Sequence, residues 1–171
     1  MTDVAEYSAI ETARGQRVEI RAIRPDDDER LAEAVERASP QSLYRRFFGV
    51  RRFTDKDMAS FSDVDFVNHV ALVAVTEEGG RPVIVGGGRY VVVKPGQAEI
   101  AFALIDQYQG RGIGSTLMRH LVAIARTAGL KELVAEVLAE NAPMLKVFRK
   151  CGLGMTTRRE AEVVHVMLRL S

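Results

Sequence analysis

From His69 to Ile105 strand-forming segments follow one another with no helix between them, and then the mode of connection changes. His69–Val75 and Val83–Val93 are dominated by β-branched residues and are separated by Glu-Glu-Gly-Gly-Arg-Pro, a turn signal; Lys94-Pro95-Gly96 breaks the chain again before a strand from Gln97 to Ile105. Short turns join antiparallel neighbours, so these three strands are expected to pair as a meander. The next connection must be a crossover. Beyond Gly110-Arg111-Gly112-Ile113-Gly114, the residues Ile113, Leu117, Leu121, Ile124 and Ala128 recur on one stripe of a helix from Gly112 to Ala128 that stops at Gly129. Arg119, His120 and Arg126 lie off that stripe, and His120 is expected to be exposed. Leu133–Leu138 is again a strand, so residues 97–138 form a β-α-β unit.

The flanks complete an α/β fold. Residues 1–16 read as a polar lead. Arg17–Arg24 alternates as a first strand; Pro25 and Asp26–Asp28 start a helix carrying Leu31, Ala34, Val35 and Ala38 until Ser39-Pro40 interrupts. A second helix is expected over Gln41–Phe48, and a further turn or two over Thr54–Phe61. Asn141 caps a helix through Lys150, closed by Gly152, and Val163–Leu170 alternates as a last strand. The expected architecture is a single domain over residues 17–171. It is a mixed sheet in which an antiparallel meander is followed by a central β-α-β unit, with helices on both faces.

With 24 basic against 23 acidic residues, the chain lacks the charge of a nucleic-acid binder. No apolar run reaches the roughly 20 residues that span a bilayer, so neither nucleic acid nor membrane is expected as a partner. The single cysteine, Cys151, excludes an internal disulfide and a multi-cysteine metal site, and fits a reducing compartment; the cytoplasm is the expected location.

The glycine loop carries the functional signal. A strand entering a glycine-rich turn that opens a helix presents bare N–H groups and a positive helix end at one point, an arrangement suited to phosphate. A nucleotide P-loop would need a lysine after its last glycine, where Ser115-Thr116 stand instead. A dinucleotide fingerprint through Gly110, Gly112 and Ser115 has a spoiled third position and a four-residue offset from the strand, Asp106–Gln109; Glu140 could stand for its ribose-binding acid, which keeps it as an alternative.

Gln109-Gly110-Arg111-Gly112-Ile113-Gly114 matches the (Arg/Gln)-x-x-Gly-x-(Gly/Ala) signature of the GNAT superfamily of acyl-CoA-dependent N-acyltransferases. The resemblance covers most of residues 17–170. Arg24-Pro25-Asp26-Asp27-Asp28, Ser39–Phe48, Ala139-Glu140-Asn141-Ala142-Pro143-Met144-Leu145 and Cys151-Gly152-Leu153 are similar to the catalytic domain of bacterial protein lysine acetyltransferases. Relatives of this kind often carry a fused regulatory or synthetase-like domain; none is expected in this chain.

The resemblance implies acetyl-CoA as co-substrate, with no metal, and a primary amine as acceptor, preferably a protein lysine. A small-molecule amine, or acyl-CoA binding without turnover, are the alternatives, and a monomer or weak homodimer is expected. The pyrophosphate would lie on Gln109, Gly110, Arg111, Gly112, Ile113, Gly114 and Ser115, with Arg111 adding charge, and the pantetheine arm beside Leu104 and Ile105. Asn141 would border the same cleft. Glu99, expected to be partly buried, shares a strand face with the small Ala101 and Ala103 and with Ile105; the span from Glu99 to Ile105, roughly 20 Å, suits an extended arm. Glu99 matches the glutamate assigned as general base in the lysine acetyltransferases, although an edge-exposed or ion-paired, structural glutamate is the alternative. Where many relatives place a tyrosine to protonate the leaving thiolate, this chain has Phe148, expected to pack against the cofactor instead.

Other candidates are less committed. His69 could be a second acid-base group or a structural histidine, and a metal site through Asp63, Asp65 and His69 lacks a completing ligand. His165 reads as a sheet-face residue, and Cys151 has no evident base partner. Arg45, Arg46, Arg51 and Arg52 around Phe47, Phe48 and Phe53 could guide an acidic protein surface or the adenosine 3′-phosphate, or form a solvated basic helix end.

Overall fold

The computed structural model describes residues 4–37 and 64–170. Its strands are β1 (Ser8–Ala13), β2 (Gln16–Ala22), β3 (His69–Glu78), β4 (Arg81–Lys94), β5 (Gln97–Leu104), β6 (Glu132–Leu138), β7 (Gly154–Glu160) and β8 (Val163–Arg169). The helices are α1 (Asp28–Arg37), α2 (Ile113–Thr127) and α3 (Ala142–Lys150). One sheet holds all eight strands in the order β1-β2-β3-β4-β5-β6-β8-β7, and every neighbouring pair is antiparallel except β5–β6, which is parallel across the α2 crossover.

Helices cover both faces because the central strands are apolar on both. Along β3, Val70, Leu72 and Ala74 join a core with Leu117 and Leu121 of α2, while Ala71, Val73 and Val75 join a second cluster with Leu31 of α1. A strand buried on both sides reads as a continuous β-branched run, and β3 is such a strand. The start of α1 is fixed by a buried ion pair. Both guanidinium branches of Arg21 on β2 donate to the Asp27 carboxylate, at 2.9 and 2.8 Å, and the Arg24 N–H donates to it at 2.7 Å. Burial alone would push the Asp27 carboxyl up; the bonds from Arg21 and Arg24, with Arg30 nearby, outweigh it and hold the group below the usual carboxylate range.

Two expectations need correction, and one strand had no signal in the sequence. Residues 8–13, read as part of a polar lead, form β1, paired from Ser8↔Arg21 to Ala13↔Gln16. Ile10 on this strand is exposed and its turn is Arg14-Gly15, so neither hydrophobic alternation nor an Asn-Gly or Asp-Gly turn marked the hairpin. The almost wholly exposed β7 escaped for the same reason, since it has no buried face to reveal a period. His120 is buried, not exposed: the Tyr7 hydroxyl meets its Nδ1, and Glu11 Oε1 lies 2.9 Å from its Nε2. The unrecognised β1 supplies the acid that makes that burial tolerable. The helix expected over Gln41–Phe48, the segment Thr54–Phe61, Asp63 and the cluster of Arg45, Arg46, Arg51 and Arg52 lie outside the described residues. Among the described residues no helix is long and apolar enough to cross a membrane.

Candidate active site

The site begins where the parallel ladder stops. β5 and β6 pair at only three positions, Gln97↔Glu132, Ala98↔Leu133 and Glu99↔Val134, and then part, while β6 continues along β8 as far as Leu138↔Val163. Between the parted strands, α3 and the start of α2 enclose a cleft of about 570 Å³, within the range of small-molecule sites. One wall is the stretch from Glu99 to Leu104 of β5, and the other is Ala135–Val137 of β6 with Asn141–Met144 and the inner face of α3. Phe102 of β5 and Phe148 of α3, both buried, meet at 6.2 Å between ring centroids and line the cleft.

At the far end the glycine loop closes the cleft. Gly112 caps α2 with φ +84° and Gly110 has φ +75°, a backbone that side chains rarely adopt. The first backbone bond of the helix runs from Thr116 N–H to Gly112 C=O at 3.1 Å, which leaves the N–H groups of Ile113, Gly114 and Ser115 without helical acceptors. Gln109, Gly110, Gly112, Gly114 and Ser115 line the cleft at this point. Such a cradle fits a phosphate group. Lys146 and Lys150 on α3 add positive charge to the same cleft, and Arg14 joins them from the β1–β2 turn.

The loop is held from beneath. The Tyr108 hydroxyl donates to Glu78 Oε2 at 2.6 Å, and Arg37 at the end of α1 donates to both oxygens of Glu78, at 2.9 and 2.8 Å, and to Gln107. These bonds, chiefly those from Arg37, hold the Glu78 carboxyl below its ordinary range. None of this network was visible in the sequence, because its members come from α1, β3 and the loop, up to 70 residues apart.

At the opposite end stands Glu99. It is exposed in the cleft wall, contrary to the partial burial expected, and among the described residues no cation forms an ion pair with it. Ala101 and Ala103 follow it along the same wall, and Glu99 to Leu104 covers about 17 Å of strand.

Other predicted residues separate into two groups. Leu104, Gln109, Gly110, Gly112, Gly114, Ser115, Asn141 and Phe148 are brought together with Glu99 on one cleft. Asn141 both borders the cleft and caps α3, its Oδ1 accepting from Met144 N–H at 3.3 Å. Ile105, Arg111 and Ile113 do not line it. Ile105 leaves the strand, donates its N–H to Val85 C=O at 2.9 Å and is buried in the core; the Ile113 side chain is buried likewise. Arg111 turns away to stack over the Tyr108 ring at 5.0 Å and to donate to Gln16 Oε1 at 3.1 Å. The charge expected from Arg111 is thus spent on the loop's own support.

His69 sits opposite Val91, which sits opposite Glu99, so histidine and glutamate share a row and a face about 10 Å apart, with His69 outside the cleft. Asp65 Oδ1 accepts the N–H groups of Val67, Asn68 and His69 at 2.8–2.9 Å, and among the described residues, which leave out Asp63, no metal-holding cluster occurs. His165 is a sheet-face residue as expected, between Glu160 at 3.2 Å and Glu136 at 3.6 Å. The Cys151 thiol donates to Phe148 C=O, and among the described residues no base is hydrogen-bonded to it. The topology speaks against a dinucleotide site, since among the described residues the sheet contains one parallel pair where a doubly wound domain needs several.

Comparison with known proteins places the same geometry in a described group. Residues 31–153 match the sequence profile of the acetyltransferase (GNAT) family. The chain is 32% identical over 157 residues to an acetyltransferase of Pseudomonas aeruginosa, covering 88% of this chain and 83% of that protein. It is 34% identical over 147 residues to the acetyltransferase Pat of Mycolicibacterium smegmatis, covering 84% of this chain but 43% of Pat, so it spans less than half the length of that relative. The crystal structure of the GNAT domain of S. lividans PAT superposes with a TM-score of 0.84 at 36% identity, over 95% of this chain and 96% of that one.

Proposed function

The chain belongs to the acetyltransferase (GNAT) family, and from that premise we propose that it transfers an acetyl group from acetyl-CoA to the side-chain amine of a protein lysine, with Glu99 as general base. One observation carries this reading: the β5–β6 ladder ends at Glu99↔Val134, and the cleft it opens runs from that exposed carboxylate to the N–H groups at the start of α2. An acid at one end and a phosphate cradle at the other, about 17 Å of strand apart, suit a long carrier whose anionic head and reactive thioester lie far from each other.

The residues then have separate duties. Gly112, Gly114 and Ser115 offer their N–H groups to the pyrophosphate, and Leu104 with the parted edge of β5 lies beside the pantetheine. Glu99 accepts a proton from the ammonium of the acceptor, directly or through water, and frees the nitrogen lone pair. The nitrogen attacks the thioester carbonyl and a C–N bond forms; the nitrogen passes its surplus proton to water, the C–S bond breaks, and coenzyme A leaves as its thiolate. Phe148 has no proton to give, so water is the donor this reading assigns to the thiolate.

Lysine as acceptor rests on the resemblance of Arg24–Asp28, Ala139–Leu145 and Cys151–Leu153 to bacterial protein lysine acetyltransferases. Mass spectrometry of reactions containing acetyl-CoA with candidate proteins and with a panel of small amines tests turnover and acceptor together. Acetylated lysine in a protein is the expected product. Modification confined to small amines would remove the protein acceptor, and binding without any product would reduce the domain to a sensor.

A further inference from the structure

The β1–β2 turn enters the cleft at its phosphate end. Arg14 and Gly15 form its two-residue loop with φ +47° and +85°, both in the left-handed region, as a type I′ hairpin turn requires. Asparagine, aspartate and glycine suit the first of these positions; an arginine there is strained. Strain of this kind is retained where a side chain has work to do. The Arg14 side chain crosses to the glycine loop, donates from Nη1 to Gly110 C=O at 2.8 Å and lines the cleft beside Gly112, Gly114 and Ser115. Among the described residues no carboxylate pairs with it, and a guanidinium has five N–H donors, of which this bond uses one. Arg111, which the loop motif itself supplies, is turned away onto Tyr108 and Gln16.

We propose that Arg14 binds the pyrophosphate of acetyl-CoA, standing where Arg111 does not reach. This rests on the acetyl-CoA reading above. A planar fork held at one corner by Gly110 has its remaining donors available to phosphate oxygens, and charge-assisted bonds of this type are short and strong. The N-terminal hairpin is then part of the cofactor site and not merely an edge of the sheet.

The substitution Arg14→Asn separates binding from folding, because asparagine is favoured at a left-handed turn position. Calorimetric titration with acetyl-CoA should show Kd raised about ten-fold and a shallower dependence on salt concentration, with a melting temperature equal to or above that of the wild type. Arg14→Lys, which keeps the charge and loses the fork, should recover part of the affinity. The same loss with dephospho-CoA identifies the pyrophosphate. If dephospho-CoA binds both proteins equally, the contact is to the 3′-phosphate and the assignment is overturned. Wild-type affinity and salt dependence in Arg14→Asn would overturn it outright. A wild-type protein that binds no acetyl-CoA at all would instead remove the acetyltransferase reading, and this assignment with it.

Discussion

Glu99 and Val134 form the last rung between β5 and β6, and the cleft opens there, lined from Glu99 on β5 and from Ala135 on β6. Pairing ends there although β6 continues to Leu138 along β8, so the break belongs to this one edge. A carboxylate at the fork stands beside open space and, among the described residues, carries no ion pair. The substitution Glu99→Gln is nearly isosteric and removes the proton acceptor. It should lower kcat by about 100-fold or more while leaving the acetyl-CoA Kd unchanged, measured by steady-state kinetics beside calorimetry. Equal turnover in both proteins would dismiss Glu99 as the base.

Gly88 on β4 backs the aromatic pair at the cleft. A Cβ there would lie 2.6 and 2.7 Å from the Phe102 ring and 2.9 Å from Leu121 Cδ1, so the Gly88→Ala protein must shift buried neighbours. We expect about 1–3 kcal/mol of lost stability by chemical denaturation. Gly114→Ala is the control. Its Cβ would stand 3.5 Å from Leu104 Cδ1 and 3.7 Å from Val147 Cγ2, ordinary contacts, and stability should stay within about 0.5 kcal/mol.

Asp27 and Arg21 make stability depend on acid. Because the Asp27 carboxyl is held below its ordinary range when folded, its contribution is complete above the unfolded value near 4 and is lost as pH falls through the folded value. Asp27→Asn leaves Arg21 buried without its charge partner and should destabilise by about 3 kcal/mol or more at pH 7. The gap between wild type and variant, followed by denaturation at several pH values, should hold from about pH 7 to 5 and narrow below about pH 4. A gap that narrowed on the alkaline side would contradict the sign.

Tyr7 fastens the N-terminal segment to α2 through His120. In Tyr7→Phe the ring remains and the hydroxyl is gone, so the buried His120 Nδ1 loses its partner, a loss of about 1–3 kcal/mol. Amide exchange in β1 should rise, since that strand is held to α2 at this point and at the Glu11 contacts with His120 and Arg119. Unchanged exchange in β1 would show that pairing with β2 suffices.

What could be read in the chain was what local chemistry controls. β-branched runs gave β3 and β4, the Lys94-Pro95-Gly96 break marked the start of β5, a stripe of apolar residues ending at Gly129 gave α2, and Asn141 marked the cap of α3, each because its signal lies within a few residues. Glu99 and the glycine loop were found together since they stand at the two ends of one strand and its exit. β1 and β7 escaped because exposed edge strands bury too little to show a period. Arg111 and Arg14 mark the limit more sharply. The loop motif assigns Arg111 to the phosphate by proximity in sequence, but its side chain finds Tyr108 and Gln16, while Arg14 arrives at Gly110 from 96 residues away. Sequence determined the family, the order of the central elements and the backbone of the phosphate cradle, all of which depend on neighbouring residues. Tertiary structure alone decided where β5 and β6 part and which cation faces the cleft, because both depend on contacts between segments that the linear chain keeps far apart.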